Sequence, residues 1–397
     1  MKIISAILAM TITTIAEAQV ISPNGKVEWR EKGKGFAVVY HDGNNECEVL
    51  DITNVGILTK DGGGKDLTLK AKMPVKTIKD SYTMIGGKRH DCCNKANEVT
   101  YLYIDNIGRE QQLIVRAYND GVAFRYVFDA LQHTRPTEEL TTYRITEGRK
   151  RWMQKWTESY EAFFPLSTTG ESENKRWGYP ALLQPSDKVF ALITEAGIER
   201  YNSASSLYND RNKEEFRVVM DENLQNTTGK WRSPYRVVIV GELKDVVAST
   251  LVTDVSEPCR IEDTSWIKPG SVSWIYWAYN HGSNDYQIVK QYVDMAVEMR
   301  WPYVLIDAEW DEMKNGGHIE DAIRYAHEKG IKPILWYNSS TAWIKAWGAP
   351  GPHERLNAPE NREREFEWLE KMGVAGVKID FFAGDKQETM EYCIDLL

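Results

Sequence analysis

Cysteine is scarce in this chain: five in 397 residues, at positions 47, 92, 93, 259 and 393. Five irregularly spaced cysteines are too few for a disulfide scaffold, and no spacing among them resembles a zinc site. Cys92 and Cys93 are adjacent, so an ordinary bridge between them would be strained. Cys47 with one of the two is an open pairing. Positive charge in excess is also lacking. The net charge of −9 argues against the concentrated basic surface that nucleic acid requires. There is no basic amphipathic stretch to hold a membrane surface. Beyond the first eighteen residues no apolar run is long enough to span a bilayer.

Those first eighteen residues read as a targeting segment. Lys2 supplies a positive charge, Ile3 to Ile15 is mostly apolar, and Ala16-Glu17-Ala18 fits the small-x-small cleavage rule. Cleavage after Ala18 leaves Gln19 first, so the expectation is an exported protein, periplasmic or secreted, with no membrane span in the mature chain. What remains is ordinary for a soluble globular protein, 42% hydrophobic and 27% charged. The length accommodates two or three domains.

Two regions differ in period. From Val20 to about Ile261 short runs alternate with period two between Gly-, Asn- and Asp-rich turns. The clearest is Gln111 to Asp129, where Asn119-Asp120-Gly121 turns the chain and Val122, Phe124, Tyr126 and Phe128 follow on one face. Further strands are expected at Val99–Asp105, Lys188–Thr194, Phe216–Met220 and Tyr235–Val240. Many short strands over such a length predict a large β-sandwich. After Pro269-Gly270 strands alternate with helices: Ser271–Tyr276, a helix capped by Asp285, Tyr303–Ile306, a helix from Ile319 stopping at Gly330, Lys332–Tyr337, a helix from Arg362 stopping at Gly373, and Val377–Asp380. That alternation predicts a parallel sheet with crossover helices. The expected division is a leader at 1–18, a sandwich at 19–265 and a (β/α)8 barrel from 266 to 397. Ser271 to Leu397 supplies about half of the roughly 250 residues that a closed barrel takes. The expectation is therefore the first four strands only, in an incomplete chain.

In such barrels the chemistry sits at the C-terminal strand ends. The first offers Trp277, Tyr279 and Asn280; the second Asp307, Glu309, Trp310 and Asp311; the third Trp336, Tyr337 and Asn338; the fourth Asp380, followed by Asp385. Carboxylates mixed with aromatics and Asn suit sugar, since rings bear on C–H faces and polar groups bind hydroxyls. Any one of these tryptophans taken alone reads as core packing. Asp307 reads equally as a sugar ligand or as a helix cap. In Gly376-Val377-Lys378-Ile379-Asp380-Phe381-Phe382, alternation turns Lys378 and Asp380 to the same side. An ammonium beside Asp380 keeps that carboxylate ionised, as a nucleophile requires. Glycoside hydrolysis needs a second carboxyl group as acid. Glu309 and Asp311 are the nearby options, and neither is assigned.

Three stretches together resemble glycoside hydrolase family 97. They are Val115 to Tyr126, Tyr303-Val304-Leu305-Ile306-Asp307, and Asn361 to Phe382 with its Gly-Val-Lys-Ile-Asp-Phe-Phe. The resemblance implies an N-terminal β-super-sandwich followed by the first half of a catalytic (β/α)8 barrel. It implies a retaining, exo-acting α-glycosidase of the α-galactosidase type, acting on an oligosaccharide or glycoside through a covalent intermediate on Asp380. Lys378 would support that nucleophile, and Asp307, Trp277, Trp336 and Asn338 would bind substrate. The resemblance also implies calcium near the catalytic centre. Glu161, in Trp156-Thr157-Glu158-Ser159-Tyr160-Glu161-Ala162, matches the ligand that the sandwich contributes. Oxygen-only ligation suits that ion, although basic neighbours such as Lys155 could equally pair with Glu161. In the family the general acid and the remaining calcium ligands come from later strands, beyond Leu397. The alternative readings are a non-catalytic glycan-binding protein of the cell envelope and an inactive fragment.

Overall fold

The alternating run at Gln111–Asp129 folds as the sequence predicts. Strands Glu110–Tyr118 and Gly121–Thr134 form a two-residue hairpin in which Gly121 pairs with Tyr118 and Val127 with Gln112. Val122, Phe124, Tyr126 and Phe128 all turn inward and are buried. In this computed structural model residues 19–171, 176–340 and 349–397 are described. Residues 1–18, read from the sequence as a leader, lie outside them, as does the start of the Pro-rich loop at Gly348. No helix among the described residues is long and apolar enough to cross a membrane.

The hairpin belongs to an antiparallel sheet that curls on itself, with eighteen strands among the described residues. Asp91–Ile104 pairs with Glu110–Tyr118 on one side, and Gly121–Thr134 pairs with Tyr235–Gly241 on the other. The sheet encloses a core that includes Trp29, stacked on Phe36 at 4.5 Å and tilted against Phe124 at 5.2 Å. Burying each such side chain contributes on the order of 2–3 kcal/mol. A smaller cluster forms where short helices Leu243–Ala248 and Leu251–Asp254 cover Val237 and Ile239. A charged cluster sits inside: Arg236 Nε and Nη2 donate to Glu139 at 2.9 and 2.6 Å, and Nη1 donates to Glu195 and, at 3.0 Å, to Ser205 Oγ. A buried guanidinium is tolerated because two carboxylates and a hydroxyl replace its water.

The second part is a four-stranded parallel sheet in chain order, Val272–Trp274, Tyr303–Ile306, Lys332–Asn338 and Gly376–Asp380. The helix Tyr286–Met299 starts where Asp285 accepts the N–H groups of Gln287 and Ile288. The helix Ile319–Glu328 is followed by Gly330 at φ 74°, and Pro359–Met372 is capped by Gly373 at φ 70°. The latter begins three residues before Arg362 because Pro359 presets the first helical φ. The first strand is shorter than Ser271–Tyr276, since the Ile275 carbonyl accepts the N–H of Ala278 and Tyr279 and turns the chain away. Helices pack on one face of the sheet against Val304, Ile306, Leu335, Tyr337, Val377 and Ile379. Leu305, Ala308 and Trp336 pack on the other face with Trp274, Ile334 and Phe381. Alternation sends Lys378 and Asp380 to that second face, beside Trp336 and Asn338 in register. A sandwich followed by four β/α units is the architecture the sequence predicts.

Candidate active site

Asp380 ends the fourth strand with its side chain 43% exposed. Lys378 Nζ lies 3.1 Å from Asp380 Oδ2 and 3.7 Å from Asp307 Oδ2. The Phe381 backbone N–H donates to Asp380 Oδ1 at 3.0 Å, and the Trp336 indole N–H to Oδ2 at 3.3 Å. Partial burial is the largest influence on this carboxyl and works to raise its pKa. The Lys378 hydrogen bond, the Phe381 N–H, the Lys378 charge and the Trp336 N–H together outweigh it and hold the pKa below the usual value. Asp380 is thus a half-exposed anion held by three donors.

Asp307 is buried. Its Oδ2 accepts the Trp274 indole N–H at 2.6 Å and its Oδ1 accepts the Ala308 N–H at 2.9 Å, while its own N–H donates to Ser283 Oγ at 2.8 Å. The Lys378 ammonium stands over the Trp274 ring at 4.8 Å. Trp277 is 78% exposed, with its ring edge-on to Trp274 at 5.4 Å. Trp336 is buried, its face covered and its indole N–H spent on Asp380. Asn338 is buried too: Nδ2 donates to the Pro350 carbonyl at 3.1 Å and Oδ1 accepts the Ser340 N–H at 2.8 Å. The structure therefore brings Lys378, Asp307, Asp380 and Trp336 into one cluster, leaves Trp277 at the rim and gives Asn338 to the backbone. Trp274 was not singled out. Its period-two relation to the interior face was the available signal.

Glu309 and Asp311 go elsewhere. Glu309, at φ 68°, has Oε2 2.7 Å from His281 Nδ1. Burial, the largest influence, raises the Asp311 pKa, but Asp311 lines a different cavity with Arg355 and Trp368.

A cavity of about 750 Å³ lies between sandwich and barrel. The barrel contributes Asp380, Phe381, Phe382 and Asp385; the sandwich contributes Glu158, Tyr160, Glu161 and Glu195. Asp385 pins the two together. Its carboxylate accepts the Trp156 indole N–H at 2.6 Å, the Tyr160 hydroxyl and the Arg176 guanidinium at 2.8 Å, and its carbonyl accepts the Ala204 N–H at 3.0 Å. Arg176 in turn lies on the Trp156 ring at 3.6 Å. Burial comes first and raises the Asp385 pKa despite those donors, with help from Asp221. Gly384 makes the approach possible: it sits at φ 67°, and a Cβ there would stand 3.2 Å from Glu158 Cγ. Glu195 shares this wall. Burial, ahead of every other influence, raises its pKa, even with Arg236 and Ser205 beside it.

Glu161 is exposed on the cavity wall. Calcium takes six to eight oxygens. Among the described residues no three of His, Cys, Asp and Glu converge as a metal site; Glu161 would be one oxygen ligand of several, and no chemical step is drawn through the ion.

Comparison with known proteins follows the same division. Residues 20–258 match the family model for the N-terminal region of glycosyl-hydrolase 97, and residues 270–397 match that for glycoside hydrolase 97. The chain is similar to a probable retaining alpha-galactosidase of Streptomyces bingchenggensis, 25% identical over 100% of this chain and 63% of that protein. It is 26% identical to a retaining alpha-galactosidase of Bacteroides thetaiotaomicron over 69% of this chain and 46% of that protein. The chain thus spans less than two thirds of the length of these curated relatives. Among solved structures, a beta-arabinopyranosidase superposes with a TM-score of 0.83 at 25% identity, over 96% of this chain and 64% of that one. A glycoside hydrolase family 97 enzyme of Pseudoalteromonas sp. strain K8, bound to panose, gives 0.77 at 18% identity, over 95% and 63%, a likeness of fold. With both of its parts matched in order by that family's models, the chain belongs to glycoside hydrolase family 97.

Proposed function

We propose that the protein is a retaining glycoside hydrolase that removes terminal α-linked sugars, α-galactosides first among them, with Asp380 as the nucleophile. The observation that carries this reading is the Asp380 carboxylate itself: at a barrel strand end, open to a cavity and kept anionic by Lys378, Trp336 and the Phe381 N–H. In the proposed reaction an Asp380 oxygen attacks the anomeric carbon as the bond to the leaving oxygen breaks. The leaving oxygen takes its proton from a second carboxyl group, which is not assigned among the described residues; water then gives a proton back to that group and releases the sugar, and two displacements return the original configuration. Around the cavity that Asp380 lines, Tyr160, Phe381 and Phe382 supply aromatic surface for the sugar's C–H faces, and Glu158 and Glu161 supply polar groups for its hydroxyls. The two retaining alpha-galactosidases among the relatives support the substrate class.

The likeness to a beta-arabinopyranosidase favours a second substrate of the same site. β-L-arabinopyranose has the ring stereochemistry of α-D-galactose and lacks only the C6 hydroxymethyl group, so one nucleophile serves both.

The test uses a 5-fluoro glycosyl fluoride of galactose or arabinose configuration. Fluoride leaves without a proton donor, so the reagent reads the nucleophile alone. The expected result is one covalent sugar on the peptide carrying Asp380. A label elsewhere, or none with either sugar, overturns the assignment. Turnover of an aryl α-galactoside, followed by NMR, is expected to give the α-anomer first; the β-anomer overturns retention.

A further inference from the structure

The residue after Asp380 stands in a conformation that a bulky side chain rarely adopts. Phe381 has φ 61°, in the left-handed region, where a Cβ crowds the following carbonyl. The peptide that leads into this turn presents the Phe381 N–H to Asp380 Oδ1, 3.0 Å away. Phe381 must be held there, and the end of the neighbouring strand holds it. Ser339 donates twice across the strand ends: its backbone N–H to the Asp380 carbonyl at 2.8 Å, and its Oγ–H to the Phe381 carbonyl at 2.8 Å. Ser339 is fully buried. The next residue, Ser340, also has a left-handed φ, 60°, and is fixed by the Asn338 side chain. Strain held by surrounding donors is a recurrent property of functional sites.

We infer that Ser339 is a positioning residue for the nucleophile: its backbone N–H and its hydroxyl hold the peptides on either side of Phe381, and so keep the Phe381 N–H in place to orient the Asp380 carboxylate. The inference rests on Asp380 being the nucleophile. Ser339 touches no reacting atom, and it acts through the Asp380–Phe381 peptide. Serine suits the task because its hydroxyl is short enough to reach the carbonyl alongside, whereas alanine leaves that carbonyl with a lost partner.

The experiment measures the rate of covalent labelling by the fluoro glycosyl fluoride on the full chain, in four forms: wild type, Ser339→Ala, Phe381→Gly and the double variant. Small displacements of a reacting group cost up to about a hundredfold in rate. Ser339→Ala is expected to slow the first-order labelling step about tenfold, with the reagent's binding constant changed by about twofold at most. Glycine adopts a left-handed φ without strain, so in the Phe381→Gly background the same substitution is expected to cost about twofold or less. A merely structural role for Ser339 predicts equal losses in both backgrounds. Equal losses, or no loss in Ser339→Ala, overturn the inference. Should Ser339→Ala lack a cooperative melt, Ser339→Cys replaces it, keeping the bulk but donating weakly, and the same outcomes apply. A wild-type chain that takes no label on Asp380 overturns the nucleophile reading, and this inference with it. A labelled wild type with an unaffected variant overturns the Ser339 role alone.

Discussion

Asp307 and Asp380 share one ammonium: Lys378 Nζ lies 3.7 Å from the first and 3.1 Å from the second. The pair stands at the ends of the second and fourth parallel strands, and the lysine reaches both from the fourth. A single cation thereby helps to hold the proposed nucleophile as an anion and ties it to a buried carboxylate.

Removing that cation makes the first prediction. Lys378→Met withdraws the hydrogen bond and charge that offset burial at Asp380. The carboxyl pKa then rises, and the acid limb of the labelling rate moves to higher pH. An unmoved limb in a pH series of labelling rates shows that the ammonium does not govern the ionisation.

Asp380→Asn keeps the shape and loses the anion. Labelling at this position is expected to vanish, while the half-exposed site changes stability by less than about 1 kcal/mol. Intact-mass spectrometry and a urea melt together check both halves of the prediction.

Asp385 governs the junction. Asp385→Ala strips three donors of their acceptor and leaves Arg176 beside an empty place. A loss of about 2–3 kcal/mol is expected in chemical denaturation. Its pKa is raised in the folded chain from 3.8, so the folded state holds this proton more tightly than the unfolded one. The contribution of this group is then most favourable at low pH and declines as pH rises through the raised value. Asp385→Asn is expected to remove that decline from a series of melts run from acid upward. A slope the same as wild type counts against it.

Arg236→Met addresses the sandwich interior. It leaves the buried Glu139 and Glu195 without their shared guanidinium. Breaking a buried pair costs about 3–5 kcal/mol, and urea titration is expected to show a loss of that size. A loss below about 1 kcal/mol shows that the carboxylates take protons and accommodate the change.

Much of the fold was legible because it is encoded locally. Asp285 announces a helix start, Gly330 and Gly373 announce stops, and the alternation through Gly121–Thr134 identifies an inward face without a partner in view. Asp380 and Lys378 were legible for the same reason, since two residues of one strand settle their own relation. What escaped is set by distant chain. Nothing near Asp385 reveals that its partners are Trp156, Tyr160 and Arg176, more than two hundred positions earlier. Trp336 and Asn338 sit at the strand end where substrate contacts were expected, yet both face inward to neighbouring backbone and carboxylate. The left-handed φ of Phe381 has no sequence mark at all, because a phenylalanine there is held by Ser339 on another strand.

The socket around Asp385 also orders the protein in time. A ribosome completes Trp156, Tyr160 and Arg176 long before it reaches Asp385, and early domains fold as units while later ones emerge. In chain order the sandwich that forms the socket precedes the barrel residue that fills it. The loop carrying Asp385 docks on the sandwich five residues after Asp380.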